Sequence, residues 1–152
     1  PGIATNGGNI RFAVKQRGFA QQIPAAQLSD GMLTYLAYVA LFRLWATQPS
    51  LLALDEPDLH LHPHLLRQVV AFFEAMASDF PLLVATHSDR LLDCLTDPVR
   101  QVVLCSLGHG SSTQLLRLDR AALEKWLARY RGLGEVRAAG LTSDVFTVLE
   151  PV

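Results

Sequence analysis

Cysteine is scarce in this 152-residue chain, which carries only Cys94 and Cys105. The two have neither the spacing of a metal cage nor that of a secreted disulfide framework, so they read as buried, inert thiols of a reducing compartment, the cytoplasm. An excess of one charge is missing too. Thirteen Lys and Arg stand against fourteen Asp and Glu, a formal net charge of −1. No global field therefore draws the chain to nucleic acid or to an anionic membrane, and any basic site has to be local. Long hydrophobic runs are also absent. The most apolar stretch, Met32 to Trp45, is interrupted by Arg43 and is shorter than the roughly 20 residues that cross a bilayer. With no signal peptide visible, no membrane partner is expected. No internal repeat or low-complexity tract occurs.

What is present is apolar: 50% of residues are hydrophobic and 18% charged, enough for one sizeable core in a single domain or a large part of one. A piece of a larger domain would look equally apolar and would leave some core-like faces to a partner. Ile10, Phe12 and Val14 alternate with Arg11, Ala13 and Lys15, which predicts a half-buried strand, with a second strand within Arg17 to Ile23. Arg11, Lys15 and Arg17 share a face that is either plainly solvated or a contact surface for nucleotide or nucleic acid. Pro24 to Gln27 is a connector. Ser29 is placed to cap a helix from about Asp30 to Thr47. Leu33, Leu36, Ala37, Val39, Ala40, Leu41 and Leu44 make that helix apolar nearly all round, so burial is expected. Its N-terminus has unpaired N–H groups and the positive end of the helix dipole, so it is either a plain cap or an anion site.

The most informative stretch is Leu51 to His64, LLALDEPDLHLHPH. Four apolar residues predict a buried strand, and two adjacent carboxylates close it. Strands often stop in acidic, proline-containing turns. The alternative is a magnesium and water site, with Asp55 holding a hydrated Mg²⁺ and Glu56 orienting or deprotonating a water that attacks a γ-phosphate. His60, His62 and His64 alternate and, with Asp55 and Asp58, raise a competing reading as a metal-dependent hydrolase. Pro63 should turn the chain before His64 and so weakens it.

Pro63 also suits the first turn of a helix, and Leu65, Leu66, Val69, Val70, Phe73 and Met76 recur at helical spacing to about Ser78. Leu82 to Ala85 is the next buried strand. Ser88 opens a short helix to Leu95, and Val102 to Ser106 and Gln114 to Leu118 are further strands. Asp119 begins a helix to about Tyr130, and Arg131 to Val152 is a weakly periodic tail. Strands alternating with helices give an α/β fold, a layered, partly parallel sheet flanked by helices.

Three segments, LSDGM at 28–32, LLALDE at 51–56 and LLVATHSD at 82–89, resemble in order and spacing the signature, Walker B and switch-histidine segments in the C-terminal half of ABC-type ATPase domains. DEPDLHLHP is most similar to the soluble branch: RecF- and SMC-like proteins, OLD-family nucleases and related AAA-type ATPases. The resemblance spans about residues 25 to 105. It implies Mg-ATP sandwiched between two subunits of a head-to-tail homodimer. Asp55 would hold Mg²⁺, Glu56 would be the general base and His87 would contact the γ-phosphate and the attacking water. Ser29, Asp30 and Gly31 would meet ATP bound by the opposite subunit.

Two departures qualify the resemblance. Asp30 and Met32 differ from the common LSGGQ form, which weakens a transporter reading more than an ATPase one. More consequentially, no GxxxxGK[ST] segment exists to hold the β- and γ-phosphates. The glycine pair Gly7 and Gly8 is followed by Asn9 and Ile10, and the family's Q-loop cannot be identified. Beginning at Pro1, the chain is thus expected to be the C-terminal lobe of a P-loop NTPase lacking its P-loop half. Residues 1–24 form a β segment, 25–106 the motif-bearing core and 107–152 a strand, helix and tail. Alone it should bind ATP poorly and be inactive; its first partner is the missing P-loop half.

No room remains after residue 118 for an OLD-type nuclease domain. Six basic against three acidic side chains between Arg117 and Arg137 leave a DNA or nuclease partner open. So does the alternative of a nucleotide-gated clamp on DNA or protein with little turnover. DNA repair, chromosome handling and phage defence are all compatible tasks.

Overall fold

The computed structural model describes residues 2–6, 9–15, 17–18, 20–44, 49–108 and 112–148. The Gly7–Gly8 pair, the helix end expected at Thr47 and the Arg11 side chain lie outside this description. The fold is mixed α/β, with three small sheets, and the α/β expectation holds.

A two-stranded sheet pairs β4 (Leu52–Asp55) with β5 (Leu82–Ala85) in parallel, in register from Leu52↔Leu82 to Asp55↔Ala85; its residues are half-buried or exposed, not buried as expected. Parallel neighbours require a crossover, and α2 (Pro63–Met76) provides it. Pro63 occupies the first turn, where its missing N–H costs nothing, and His62 caps the helix through Nδ1, 3.3 Å from the His64 amide. The predicted stripe is real: Leu66, Val69, Val70 and Phe73 are buried.

Helix α1 (Asp30–Leu44) corrects the expectation of full burial. None of residues 30–43 is buried, and Met32, Leu33, Ala37 and Ala40 are exposed. It leans on α2 through a ring cluster in which Tyr38 meets Phe73 edge-on at 5.5 Å and Phe42 lies 5.1 Å from Phe72. Such ring pairs prefer tilted or edge-to-face packing. Apolar character all round reports what a helix can bury, and among the described residues α1 packs chiefly against α2.

β1 (Gly2–Asn6), β2 (Asn9–Val14) and β3 (Ile23–Pro24) form an antiparallel sheet in that order. Residues 17–18 are a turn rather than strand. Burial within β2 is opposite to the expectation, with Ala13 at 9% exposure and Phe12 at 38%. Alternation tells which side chains share a face, not which face becomes covered.

After β5 come two single-turn helices, α3 (Asp89–Leu92), shorter than expected, and the unforeseen α4 (Pro98–Gln101). Glu74 ties this region to α2, accepting from the Thr96 amide and hydroxyl and from Gln101 at 2.8–3.0 Å. Burial works to raise its carboxyl, but those hydrogen bonds outweigh it and hold the group below its usual range. β6 (Val103–Leu107) and β7 (Thr113–Leu118) form a hairpin, and Asp119 caps α5 (Arg120–Leu127) through Oδ1, 2.7 Å from the Ala122 amide. Cys105 on β6 is exposed, contrary to the expectation of two buried thiols, whereas Cys94 is half-buried and desolvation raises its thiol.

The tail is the largest correction. It folds into α6 (Leu133–Ala138), α7 (Thr142–Val145) and β8 (Phe146–Val148), the last pairing antiparallel with β7. Leu133, Val136 and Val145, each at most 1% exposed, join Leu118 and Leu123 in one core cluster. Helices of four and six residues are too short to show a period in sequence. A second cluster, Leu66, Val70 and Leu91, links α2 to α3.

Candidate functional site

The three expected chemical residues gather at the C-terminal ends of β4 and β5. Asp55 is the last residue of β4, with an exposed side chain. Glu56 follows with φ 45°, in the left-handed region. A non-glycine residue there stores on the order of 1–3 kcal/mol of strain, which persists only when its surroundings hold it. Here the Glu56 amide donates to the Ala85 carbonyl at 2.8 Å, one step beyond the strand pair.

The strained turn aims the carboxylate across to the neighbouring loop. Glu56 Oε1 lies 2.6 Å from His87 Nδ1; the Glu56 side chain is 24% exposed and the His87 ring 83%. One edge of the imidazole is thus held by a carboxylate while the rest faces open space.

Thr86 braces the same pair of loops. Its hydroxyl lies 2.8 Å from Asp58 Oδ1 and 3.5 Å from Glu56 Oε2, and it accepts from the Ser88 amide at 3.1 Å. A single hydroxyl proton goes to the nearer carboxylate, so Asp58 is the acceptor. Burial, followed by the Asp58 carboxylate, pushes the nearby Tyr38 hydroxyl above its usual range.

The residues expected to meet nucleotide, Ser29, Asp30 and Gly31, lie at the start of α1. Ser29 Oγ caps α1, 3.3 Å from the Met32 amide. Gly31 is seated on the turn that follows β4: a Cβ there would stand 2.3 Å from the His60 carbonyl oxygen. His60 itself has φ 64°. Gly31 is thus a point of close backbone approach as well as part of the helix N-terminus. Ser29 and Asp30 make no hydrogen bond or ion pair with Glu56 or His87 among the described contacts.

The histidine-rich segment does not form a metal centre. Among the described residues no three His, Cys, Asp or Glu side chains are grouped to hold a metal ion. His62 caps α2, and His64 Nε2 lies 3.3 Å from Gln68 on the same helix. Pro63 has turned the chain between them, which removes the shared ligand face on which the metal-dependent hydrolase reading relied.

Three contributors were not legible as such in the sequence. Thr86 carried no assigned role and Asp58 looked like a metal ligand, while Arg137 lies 50 residues beyond His87 in the apparent tail. Arg137 donates through Nη2 to the His87 carbonyl and through Nε to Asp89 Oδ1 at 2.5 Å. No sequence spacing signals that contact.

A family model described as "AAA domain, putative AbiEii toxin, Type IV TA system" matches residues 10–93, the span holding β2 to α3 and every residue of the cluster except Arg137. No curated protein matches the sequence. Among solved structures, similarity is found to a chain from the structural biochemistry of ATP-driven dimerization and DNA-stimulated activation of SMC ATPases. The identity is 16%, covering 86% of this chain and 74% of that one, with a TM-score of 0.62. At that identity the likeness is one of fold. No described helix is long and apolar enough to cross a membrane.

Proposed function

Because the chain belongs to the AAA-domain family whose model it matches over residues 10–93, we propose that it is the signature, Walker B and switch-histidine lobe of a cytoplasmic ATPase that hydrolyses ATP between two subunits. The observation that carries this reading is the Glu56–His87 pair, 2.6 Å apart at the ends of adjacent parallel strands and mounted on a strained Glu56. Strain retained at a surface turn, with a polar pair built on it, is more readily explained by chemistry than by folding.

In this reading Glu56 takes the proton of the attacking water, and His87, held on one edge by Glu56, turns its open edge to the γ-phosphate. A hard cation of the Mg²⁺ type binds through one or two carboxylates and substrate phosphate oxygens. The exposed Asp55 carboxylate at the strand end fits that need and would hold it. When bound, the ion neutralises charge developing on the transferred phosphoryl group. Ser29, Asp30 and Gly31 present the N-terminus of α1 to the phosphates of ATP bound by a second copy. The chain's own sequence has no GxxxxGK[ST] segment, so the phosphate cradle comes from a P-loop half outside it, and the chain alone is inactive.

The test is dimerisation of the gene product extended through its P-loop. Glu56→Gln should bind Mg-ATP without completing hydrolysis and accumulate as a stable dimer, seen as a doubling of mass by light scattering. A variant that stays monomeric at saturating Mg-ATP contradicts the sandwich. The fold likeness to a chain from work on DNA-stimulated SMC ATPases supports DNA as the stimulating partner. Under that reading, duplex DNA raises turnover; without it, a protein partner is the stimulus.

A further inference from the structure

Arg137 touches no expected catalytic side chain, yet it holds the backbone that carries one. The loop from Thr86 to Ser88 lies beyond the end of β5 at Ala85, so no strand pairing fixes it. The His87 ring is held by Glu56, and the Ser88 amide by Thr86 Oγ1. The His87 carbonyl accepts from Arg137, whose guanidinium also donates to Asp89 Oδ1 at 2.5 Å. Two donors of one rigid fork therefore bracket residues 87 and 89.

We propose that Arg137 is a positioning residue for this site: it fixes the loop that delivers His87 to Glu56, and so couples the C-terminal helix α6 to ATP hydrolysis. The inference rests on the ATPase reading above. Leu133 and Val136 precede Arg137 on α6, are 1% and 0% exposed, and anchor that helix in the main core cluster. The same helix grips α3 a second time, where the Gly134 amide donates to Asp93 Oδ1 at 2.7 Å. A Cβ on Gly134 would lie 2.0 Å from the Asp89 carbonyl oxygen, so α6 and the start of α3 touch backbone to backbone. Asp89, the first residue of α3, and Asp93, its C-cap, are thus both fastened to α6.

A purely structural ion pair has no need of the His87 carbonyl, and with side chains 30% and 40% exposed the Arg137–Asp89 pair adds little to folding by itself. The histidine, by contrast, depends on placement. A displacement of about 1 Å of a reacting group costs on the order of 100-fold in rate.

The experiment compares wild type, Arg137→Gln, Arg137→Lys and Glu56→Gln in the gene product extended through its P-loop, reading kcat, KM for ATP, Tm and amide hydrogen exchange at Leu91 to Asp93. Arg137→Gln should lower kcat by about 10- to 100-fold with KM little changed, leave Tm close to wild type and speed exchange at those amides. Arg137→Lys, which keeps one charged donor, should recover part of the rate. An unchanged kcat in Arg137→Gln beside a dead Glu56→Gln overturns the positioning role and leaves the ATPase reading standing. Undiminished turnover in Glu56→Gln overturns the ATPase reading. Unchanged exchange in Arg137→Gln overturns the clamp whatever the turnover.

Discussion

Replacing Gly134 by alanine sets two effects of known sign against each other. Gly134 is helical, in α6, and its φ is not in the left-handed region. On propensity alone alanine should stabilise the helix by about 1 kcal/mol. Against that, the new Cβ would meet the Asp89 backbone at 2.0 Å from the oxygen, 2.6 Å from the carbonyl carbon and 2.9 Å from Cα. Backbone cannot rotate away as a side-chain tip does, so α6 and α3 must separate. Overpacking of this kind costs about 1–3 kcal/mol, and the separation weakens the hydrogen bond from the Gly134 amide to Asp93, worth about 0.5–1.5 kcal/mol. The clash wins, with a net loss of about 2 kcal/mol. At about 2–4 °C per kcal/mol for a chain of this size, Tm falls by about 4–8 °C. Thermal melting by circular dichroism reads this directly. A Tm that rises, as propensity alone demands, would refute the close seating of α6 on α3 and with it the mount for Arg137.

Two further substitutions probe the other joints. Gly31→Ala places a Cβ 2.3 Å from the His60 carbonyl, so the turn after β4 must shift; a loss of about 1–3 kcal/mol is expected in a denaturant melt, and wild-type stability would show that α1 is not seated on that turn. Thr86→Val keeps the shape but removes the hydroxyl that joins Asp58 to the Ser88 amide. Stability should drop by about 1–3 kcal/mol and exchange of the Ser88 amide should quicken; an unprotected Ser88 amide in wild type would count against the brace.

How much was legible in the sequence follows from the range over which each signal acts. The apolar run Leu82 to Ala85 placed β5 to the residue, but not the burial expected of it, since Leu83 is 60% exposed. The capping chemistry of Ser29, Ser88 and Asp119 marked three helix starts. These are local signals, settled within a few residues of chain. The family resemblance assigned Glu56 and His87 to one site but not to each other, and nothing within either segment encodes the 2.6 Å contact between them.

What failed depends on the rest of the molecule. Phe12 and Ala13 exchanged the roles their alternation implied, since the covering element and not the strand decides which face is buried. α1 is as apolar as read and still carries no buried residue from 30 to 43, because burial needs neighbours on several sides. The tail hid α6 because a six-residue helix spans less than two turns. One of its two arginines, Arg137, touches the loop that carries His87.

The central claim is that Glu56, paired with His87, drives ATP hydrolysis. It is tested most directly by Mg²⁺-dependent ATP turnover of the gene product extended through its P-loop, with wild type and Glu56→Gln side by side. Loss of a general base should lower kcat by about 100- to 10,000-fold while ATP still binds. Equal turnover in the two proteins would contradict the account.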